Sequence, residues 1–269
     1  MKWDTILTEA AERIKTVVKQ LMATSNAEKT YGIGAGGDPK KHIDLEAEKA
    51  LVETLNEHSV NFTLISEESG VQHYGSKPTC YVTADPIDGT TNILRGLPFA
   101  CTSIAISRTR RLDSIQAAAV ADLFHDTLYL AEKERGAFRN DQKINPSKTS
   151  KLSEAVIGVD LNTYKIANLT VKLNQLLAKT KHIRHLGANA LELCYVADGT
   201  TDAFIDIRGK LRTTDIAAAT LIMLEAGAIV TTPDNNNLRN TLSPREKASF
   251  IAAGNKELHK IILEDLQQA

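Results

Sequence analysis

Ala84-Asp85-Pro86-Ile87-Asp88-Gly89-Thr90-Thr91-Asn92, directly after the apolar run Tyr81-Val82-Thr83, says more about the fold than any other stretch of the chain. Two carboxylates that a turn forces toward one point repel each other, and a hard divalent cation is the natural partner for such oxygen donors. Pro86 withholds a backbone donor and is expected to end the strand's ladder. Gly89 lets the backbone approach a ligand closely. The N–H groups of Gly89, Thr90 and Thr91 would then open a short helix whose positive end suits a phosphate oxygen. One segment thus offers cation ligands and an anion cradle at a strand terminus. Each of these residue types also forms turns for its own reason, so a surface Asp-Pro and Asp-Gly turn is the competing explanation.

Two further acidic blocks stand beside it. Phe62-Thr63-Leu64-Ile65-Ser66 reads as a short strand that runs into Glu67-Glu68-Ser69-Gly70. Adjacent acids at a strand end point to opposite sides, so one of Glu67 and Glu68 is expected to face a metal while the other orients it or a water. Arg212-Thr213-Thr214-Asp215 opens the helical run Ile216-Ala217-Ala218-Ala219-Thr220-Leu221-Ile222-Met223-Leu224-Glu225-Ala226, which closes at Gly227. Helix capping by Asp215 accounts for that aspartate as well as metal ligation does.

Working outward, Ile6, Leu7, Ala10, Ala11, Ile14, Val17, Val18 and Leu21 mark one face of a long first helix. The glycine-dense Tyr31-Gly32-Ile33-Gly34-Ala35-Gly36-Gly37-Asp38-Pro39 is expected to be a mobile loop before a second helix near Asp44, either a simple hairpin tip or an active-site lid. Strands near 62–66, 80–84, 102–107, 115–121 and 127–131 follow with few helices between them, the pattern of a largely antiparallel sheet. The second half alternates: a strand at 155–160, a helix over roughly 165–179, His182-Ile183-Arg184-His185 into a helix at 189–198, then the 202–207 strand and the Asp215 helix. The Ala228–Thr232 strand, Phe250-Ile251-Ala252-Ala253 and a helix from about 256 complete it. A boundary in the polar stretch Pro146-Ser147-Lys148-Thr149-Ser150-Lys151 divides an N-terminal α+β half, 1–150, carrying the metal and phosphate site, from a C-terminal α/β half, 151–269, carrying substrate contacts and the last metal ligand.

With 42% apolar but only 5% aromatic residues, the core must be aliphatic and alanine-rich. A net charge of -1 gives no electrostatic reason to expect nucleic acid or an anionic membrane as partner. The seven histidines show no paired ligand spacing, and the three cysteines, Cys80, Cys101 and Cys194, fit neither a zinc pattern nor a disulfide framework. No signal-peptide core or membrane-length apolar run is present, so a cytoplasmic enzyme is expected.

The blocks Ser66-Glu67-Glu68-Ser69-Gly70, Asp85-Pro86-Ile87-Asp88-Gly89-Thr90-Thr91-Asn92 and Asp215 leading a helix to Glu225-Ala226-Gly227 resemble, in order and spacing, the signatures of the inositol monophosphatase family. Asp44 within His42-Ile43-Asp44-Leu45-Glu46, Gly136-Ala137-Phe138-Arg139-Asn140, Leu186-Gly187-Ala188-Asn189-Ala190 and Asp202-Ala203-Phe204-Ile205-Asp206-Ile207-Arg208 extend the likeness nearly end to end. Within the family, the Met1-Lys2-Trp3-Asp4 opening, the compact length and Asp206-Ile207-Arg208 are most similar to archaeal members described as dual fructose-1,6-bisphosphatase and inositol-1-phosphatase enzymes. In one departure, Thr214 stands where many members have tryptophan before the third-block aspartate.

The resemblance implies a layered αβαβα sandwich and a Mg²⁺-dependent phosphomonoesterase, with on the order of two or three ions and Mn²⁺ as a possible substitute. One ion is assigned to Glu67, Asp85 and the carbonyl of Ile87, a second to Asp85, Asp88 and Asp215, with Asp85 bridging. Asp44 and Thr90 are expected to hold and deprotonate the attacking water, and Glu68 to take an outer position or a third, weaker ion. The Gly89 and Thr90 amides would bind phosphate; Gly187, Ala188, Asn189 and Asp206 would meet a polyol, and Arg208 the second phosphate of a bisphosphate. The implied substrates are fructose 1,6-bisphosphate and inositol 1-phosphate, the implied setting gluconeogenesis, and the implied assembly a homodimer. Two alternatives stay open: a phosphatase of the same superfamily acting on 3′-phosphoadenosine 5′-phosphate, and a non-catalytic regulatory binding protein on the same fold. A two-carboxylate glycosidase would not need the Asp-Gly-Thr-Thr cradle.

Overall fold

The computed structural model describes residues 3–24, 27–162 and 168–267. Helix α1 (Trp3–Met22) buries Ile6, Leu7, Ala10, Ala11, Ile14 and Val18, the one-sided apolar spacing that lays a helix on a sheet. A hairpin, β1 (Thr30–Ile33) and β2 (Pro39–Lys41), leads into α2 (His42–Glu57). Strands β3 (Phe62–Ser66), β4 (Gly70–Tyr74) and β5 (Cys80–Asp88) come next, and β5 delivers the chain into the short helix α3 (Thr90–Leu94). With β6 (Cys101–Ser107), β7 (Ile115–Asp122), β8 (Leu128–Glu132), β9 (Gly136–Arg139) and β10 (Gln142–Lys143), they form an eight-stranded sheet in the order β10-β9-β8-β7-β6-β5-β3-β4. The expected antiparallel pairing holds throughout except between β3 and β5, which run parallel because the β4 hairpin folds back onto the sheet's outer edge.

The rest of the chain builds a five-stranded sheet. Its elements are β11 (Val156–Val159), α4 (Leu169–Lys179), β12 (His182–Arg184), α5 (Asn189–Ala197), β13 (Ala203–Arg212), α6 (Thr213–Ala226), β14 (Ile229–Thr231), β15 (Lys247–Ala253) and α7 (Lys256–Gln267). The strand order is β12-β11-β13-β15-β14, parallel among the first three and antiparallel at β15. The expected start of α4 near residue 165 lies outside the described residues.

Helices α1 and α2 cover one face of the large sheet, α5 and α6 fill the space between the sheets, and α4 and α7 lie on the far face of the small one. The layering is therefore αβαβα. Buried alanines close the middle layer: Ala217, Ala218 and Ala219 of α6 belong to the same cluster as Ala118 of β7 and Ala252 of β15. Small side chains let a helix approach two sheets at once and keep interior density high with few aromatics.

Pro86 does not end its strand. β5 continues to Asp88, but its pairing with β6 shifts: Asp85 faces Ser103 while Asp88 faces Cys101. Three steps on β5 thus match two on β6, a bulge of one extra residue where proline has no N–H to give. On a regular strand Asp85 and Asp88 would point to opposite faces; the extra residue turns both toward α5 and α6.

Candidate active site

The ends of β3 and β5, the start of α3, the first turn of α6 and the loop before α5 surround a cavity of about 910 Å³. Asp44, Glu67, Glu68, Asp85, Ile87 and Asp88 line it, as do Gly89, Thr90 and Asp215. Among the described residues, Glu67, Asp85 and Asp215 each bring a carboxylate oxygen to within 4.8 Å of the other two. Asp85 and Asp215 are buried. Glu67 and Glu68 sit in the tight turn between β3 and β4, so both face the cavity rather than opposite sides of a strand. Asp215 is the third residue of α6, not its cap: its Oδ2 accepts the Arg212 backbone N–H at 3.1 Å, satisfying the helix end from inside the first turn.

These acids strain one another. Burial, then repulsion from Asp215, pushes the Glu67 carboxyl up to about 9. Burial, then Glu67, Asp88 and Asp215, holds Asp85 well above the usual carboxylate range. Asp215 is raised by burial against the pull of Arg212. Glu68 rises to about 8 through burial and the nearby Asp44 and Glu48, and its Oε2 is buried without a hydrogen-bond partner. A cluster of oxygen donors, too crowded to ionise together and containing an orphaned carboxylate oxygen, fits a hard divalent cation. The same donor set does not suit a thiolate- or imidazole-preferring metal.

Asp88 stands slightly apart. Its Oδ2 accepts the Ala190 N–H at 2.6 Å and faces the Cys101 thiol at 3.9 Å, which ties the carboxylate to the start of α5. Thr90 Oγ1 lies 2.9 Å from Asp44 Oδ1 and 3.0 Å from the Ile87 carbonyl, with one proton to share between them. Burial, partly offset by Thr90, pushes Asp44 up to about 6. Gly89 has φ +96 and is the N-cap residue just before α3, and a Cβ there would lie 3.0 Å from the Phe99 carbonyl. Gly89→Ala is therefore expected to cost about 1–3 kcal/mol of stability and to open the cradle, read as a lower urea midpoint and a raised KM for any phosphoester.

The glycine-rich loop is a docked hairpin tip. Gly36 N–H donates to the Glu67 carbonyl at 2.8 Å and Ala35 N–H to that of Glu68 at 3.3 Å. Arg212 closes the arrangement by donating to the Gly36 carbonyl at 3.3 Å, to Glu67 at 2.7 Å and to Asp38. Arg212 received no role from sequence, although its place in the Asp215 block was the available signal. Asp38, Lys41, Asp160, His185, Lys210 and Lys247 also line the cavity without a motif to announce them.

On the substrate side, Gly187, Asn189 and Arg208 line the cavity, but Ala188 and Asp206 do not. Ala188 is fully buried. Asp206 is fully buried as well, and its oxygens accept bonds from Arg208 Nε at 3.0 Å and Nη2 at 2.6 Å. Arg208 Nη2 also meets Asp160 Oδ2 at 2.5 Å. Asp206 is thus the anchor of an arginine rather than a group facing a polyol, because the buried guanidinium needs its charge.

The profile of the inositol monophosphatase family matches residues 2–269. The chain belongs to this family. As an inositol monophosphatase family member it is a phosphatase, and the family is metal-dependent. Its similar relatives include the fructose-1,6-bisphosphatase/inositol-1-monophosphatase of Methanothermobacter thermautotrophicus, 35% identical over 98% of this chain and 96% of that protein. The bifunctional NADP phosphatase/NAD kinase of Methanococcus maripaludis is 34% identical over 93% of this chain but only 46% of its own length. A solved inositol monophosphatase–fructose 1,6-bisphosphatase superposes with a TM-score of 0.85 at 31% identity, covering 98% of this chain and 100% of that one.

Proposed function

We propose that the protein is a Mg²⁺-dependent phosphomonoesterase that hydrolyses fructose 1,6-bisphosphate and inositol 1-phosphate. The observation that carries this reading is the convergence of Glu67, Asp85 and Asp215 beside the Gly89-Thr90 cradle. Glu67, Asp85, Asp215, Asp88 and the Ile87 carbonyl would hold the ions; Mn²⁺ would meet the same oxygen set. Bound Mg²⁺ would supply charge neutralisation for phosphate oxygens, activation of water and stabilisation of the leaving alkoxide.

The chain's own groups supply the rest. Gly89 and Thr90 N–H groups hold the phosphate, and Thr90 with Asp44 orients the attacking water. An Asp44 carboxyl near 6 is ionised at neutral pH yet basic enough to accept that water's proton. Gly187 and Asn189 face the polyol. Arg208, fixed by Asp206 and Asp160, is suited to receive a second phosphate. A cytoplasmic homodimer with a place in gluconeogenesis is the setting this reading carries.

The test is phosphate release with Mg²⁺ or EDTA, comparing fructose 1,6-bisphosphate, inositol 1-phosphate, 3′-phosphoadenosine 5′-phosphate and NADP. Mg²⁺-dependent turnover of the first two is the expected outcome. Preference for either nucleotide would move the protein to the nucleotide reading, which similarity to an NADP phosphatase favours. Silence on all four would leave the binding-protein reading. Arg208→Ala is expected to lower kcat/KM for the bisphosphate at least tenfold more than for inositol 1-phosphate. An equal loss on both substrates would remove Arg208 from the second phosphate, because the variant also strands Asp206 and Asp160.

A further inference from the structure

The loop that carries Gly187 and Asn189 is clamped by side chains that no part of the mechanism uses. Glu192 of α5 is 3% exposed, and its Oε1 accepts the N–H groups of Leu186 at 3.2 Å and Gly187 at 3.0 Å. From the other side, Asn92 Nδ2 donates to the Leu186 carbonyl at 2.7 Å and to the Phe99 carbonyl at 2.8 Å. Phe99 is the residue whose carbonyl packs against Gly89. Asn92 therefore joins the phosphate cradle to the substrate loop, and Glu192 fixes that loop to its own helix.

The surroundings are shaped for this clamp. Gly187 has φ +87, and a Cβ there would fall 3.2 Å from Asn92 Nδ2. Gly158 of β11 leaves room for the other end of the brace: a Cβ at that position would lie 3.2 Å from Glu192 Oε2 and 2.5 Å from the Phe204 ring. Two glycines on separate elements thus make space for the two bracing side chains. A buried carboxylate in an otherwise apolar helix is retained here by two backbone donors that would lose their partner without it.

We propose that Glu192 and Asn92 are positioning residues that set how far the polyol-facing loop stands from the phosphate cradle, and so determine recognition of the alcohol portion of the ester. The inference rests on the reading of Gly187 and Asn189 as substrate contacts. Phosphate held by Gly89 and Thr90 needs no help from Glu192, whereas a polyol held at Gly187 and Asn189 depends on where the clamp places them.

The experiment compares Glu192→Met, which keeps volume and removes the acceptor, with Glu192→Gln, which keeps an acceptor oxygen. Each is assayed with Mg²⁺ on inositol 1-phosphate and on p-nitrophenyl phosphate, whose alcohol offers no hydroxyl to the loop. The Met variant is expected to raise KM for inositol 1-phosphate about tenfold with kcat within about twofold, to leave p-nitrophenyl phosphate nearly unchanged, and to be rescued by Gln. Equal damage on both substrates, or a Gln variant as impaired as Met, overturns the proposal. Amide exchange at Leu186 and Gly187 gives a readout free of any substrate: it should quicken about tenfold in Met and not in Gln, and unchanged exchange overturns the clamp itself. If the parent protein cleaves p-nitrophenyl phosphate but no polyol phosphate while the exchange result holds, the substrate reading fails and the clamp stands.

Discussion

Asp85→Asn is expected to lower Mg²⁺-dependent phosphate release by about a thousandfold or more while making the metal-free protein more resistant to heat. The two effects have one cause. Asp85 is buried among Glu67, Asp88, Asp215 and Asp44, all of which oppose its charge. Asparagine has nearly the same shape and can keep the acceptor that meets the Ile87 N–H at 3.2 Å, so the β5 bulge should survive. A neutral amide removes repulsion from the cluster and, with it, the anionic ligand that the reaction needs. In a chain of this length, each kcal/mol relieved would appear as roughly 2–4 °C in the midpoint of metal-free unfolding. Thermal scans in EDTA beside turnover assays in Mg²⁺ give both numbers. Retained turnover would remove Asp85 from the metal site, and a lowered midpoint would contradict the repulsion argument.

Mg²⁺ binding at pH 7 is expected to release protons, and its removal to make stability strongly pH-dependent. Glu67 near 9 and Glu68 near 8 both hold a proton at neutral pH when no cation is bound. A cation must displace the Glu67 proton to gain that ligand, and its charge draws the neighbouring Glu68 carboxyl down as well, so binding releases on the order of one to two protons per site. Binding enthalpies measured in buffers of different ionisation enthalpy should therefore lie on a line of non-zero slope. The folding linkage has a definite sign. A carboxyl whose folded pKa is raised contributes stability that is complete below its unfolded value and is lost as pH climbs through the folded one. For Glu67 that window runs from 4.5 to about 9. Protein in EDTA should lose stability steadily across it, and saturating Mg²⁺ should flatten the curve. A flat profile in EDTA would mean that these carboxylates are not under the mutual repulsion described above.

Much of the candidate site was legible because its chemistry is local. Asp85, Ile87, Asp88, Gly89 and Thr90 lie in one short segment, and a turn residue beside two acids announces both cation ligands and an anion cradle. Glu67 and Asp215 were legible as acids at element ends. Only their local placement differs from the expectation, since the pair of glutamates occupies a turn and Asp215 is the third residue of α6, accepting the Arg212 N–H from inside the first turn. The substrate side was less legible. Asp206 stands in a strand whose alternation says only that it is buried or exposed, and its partnership with Arg208 and Asp160 depends on which neighbours β13 meets. Arg212 and Glu192 were missed for the same reason: an arginine ahead of a helix and one acid in an apolar helix acquire meaning only from what stands opposite.

The sequence by itself determined the order of the longer strands and helices but not the short edge strands β4, β9 and β10, and it also determined the alanine-rich core that lets α5 and α6 sit between two sheets and the residue types gathered for phosphate ester chemistry. Periodicity and turn chemistry act within a few residues, so one chain can display them. Tertiary structure decided which acids share a point in space. The one-residue bulge between Asp85 and Asp88 arises from pairing with β6 around a proline, and it turns both carboxylates to one face. The docking of the glycine hairpin under Arg212, and the clamp of Asn92 and Glu192 on Leu186, likewise join elements far apart in sequence. Such contacts depend on register and layer packing, which no local pattern encodes.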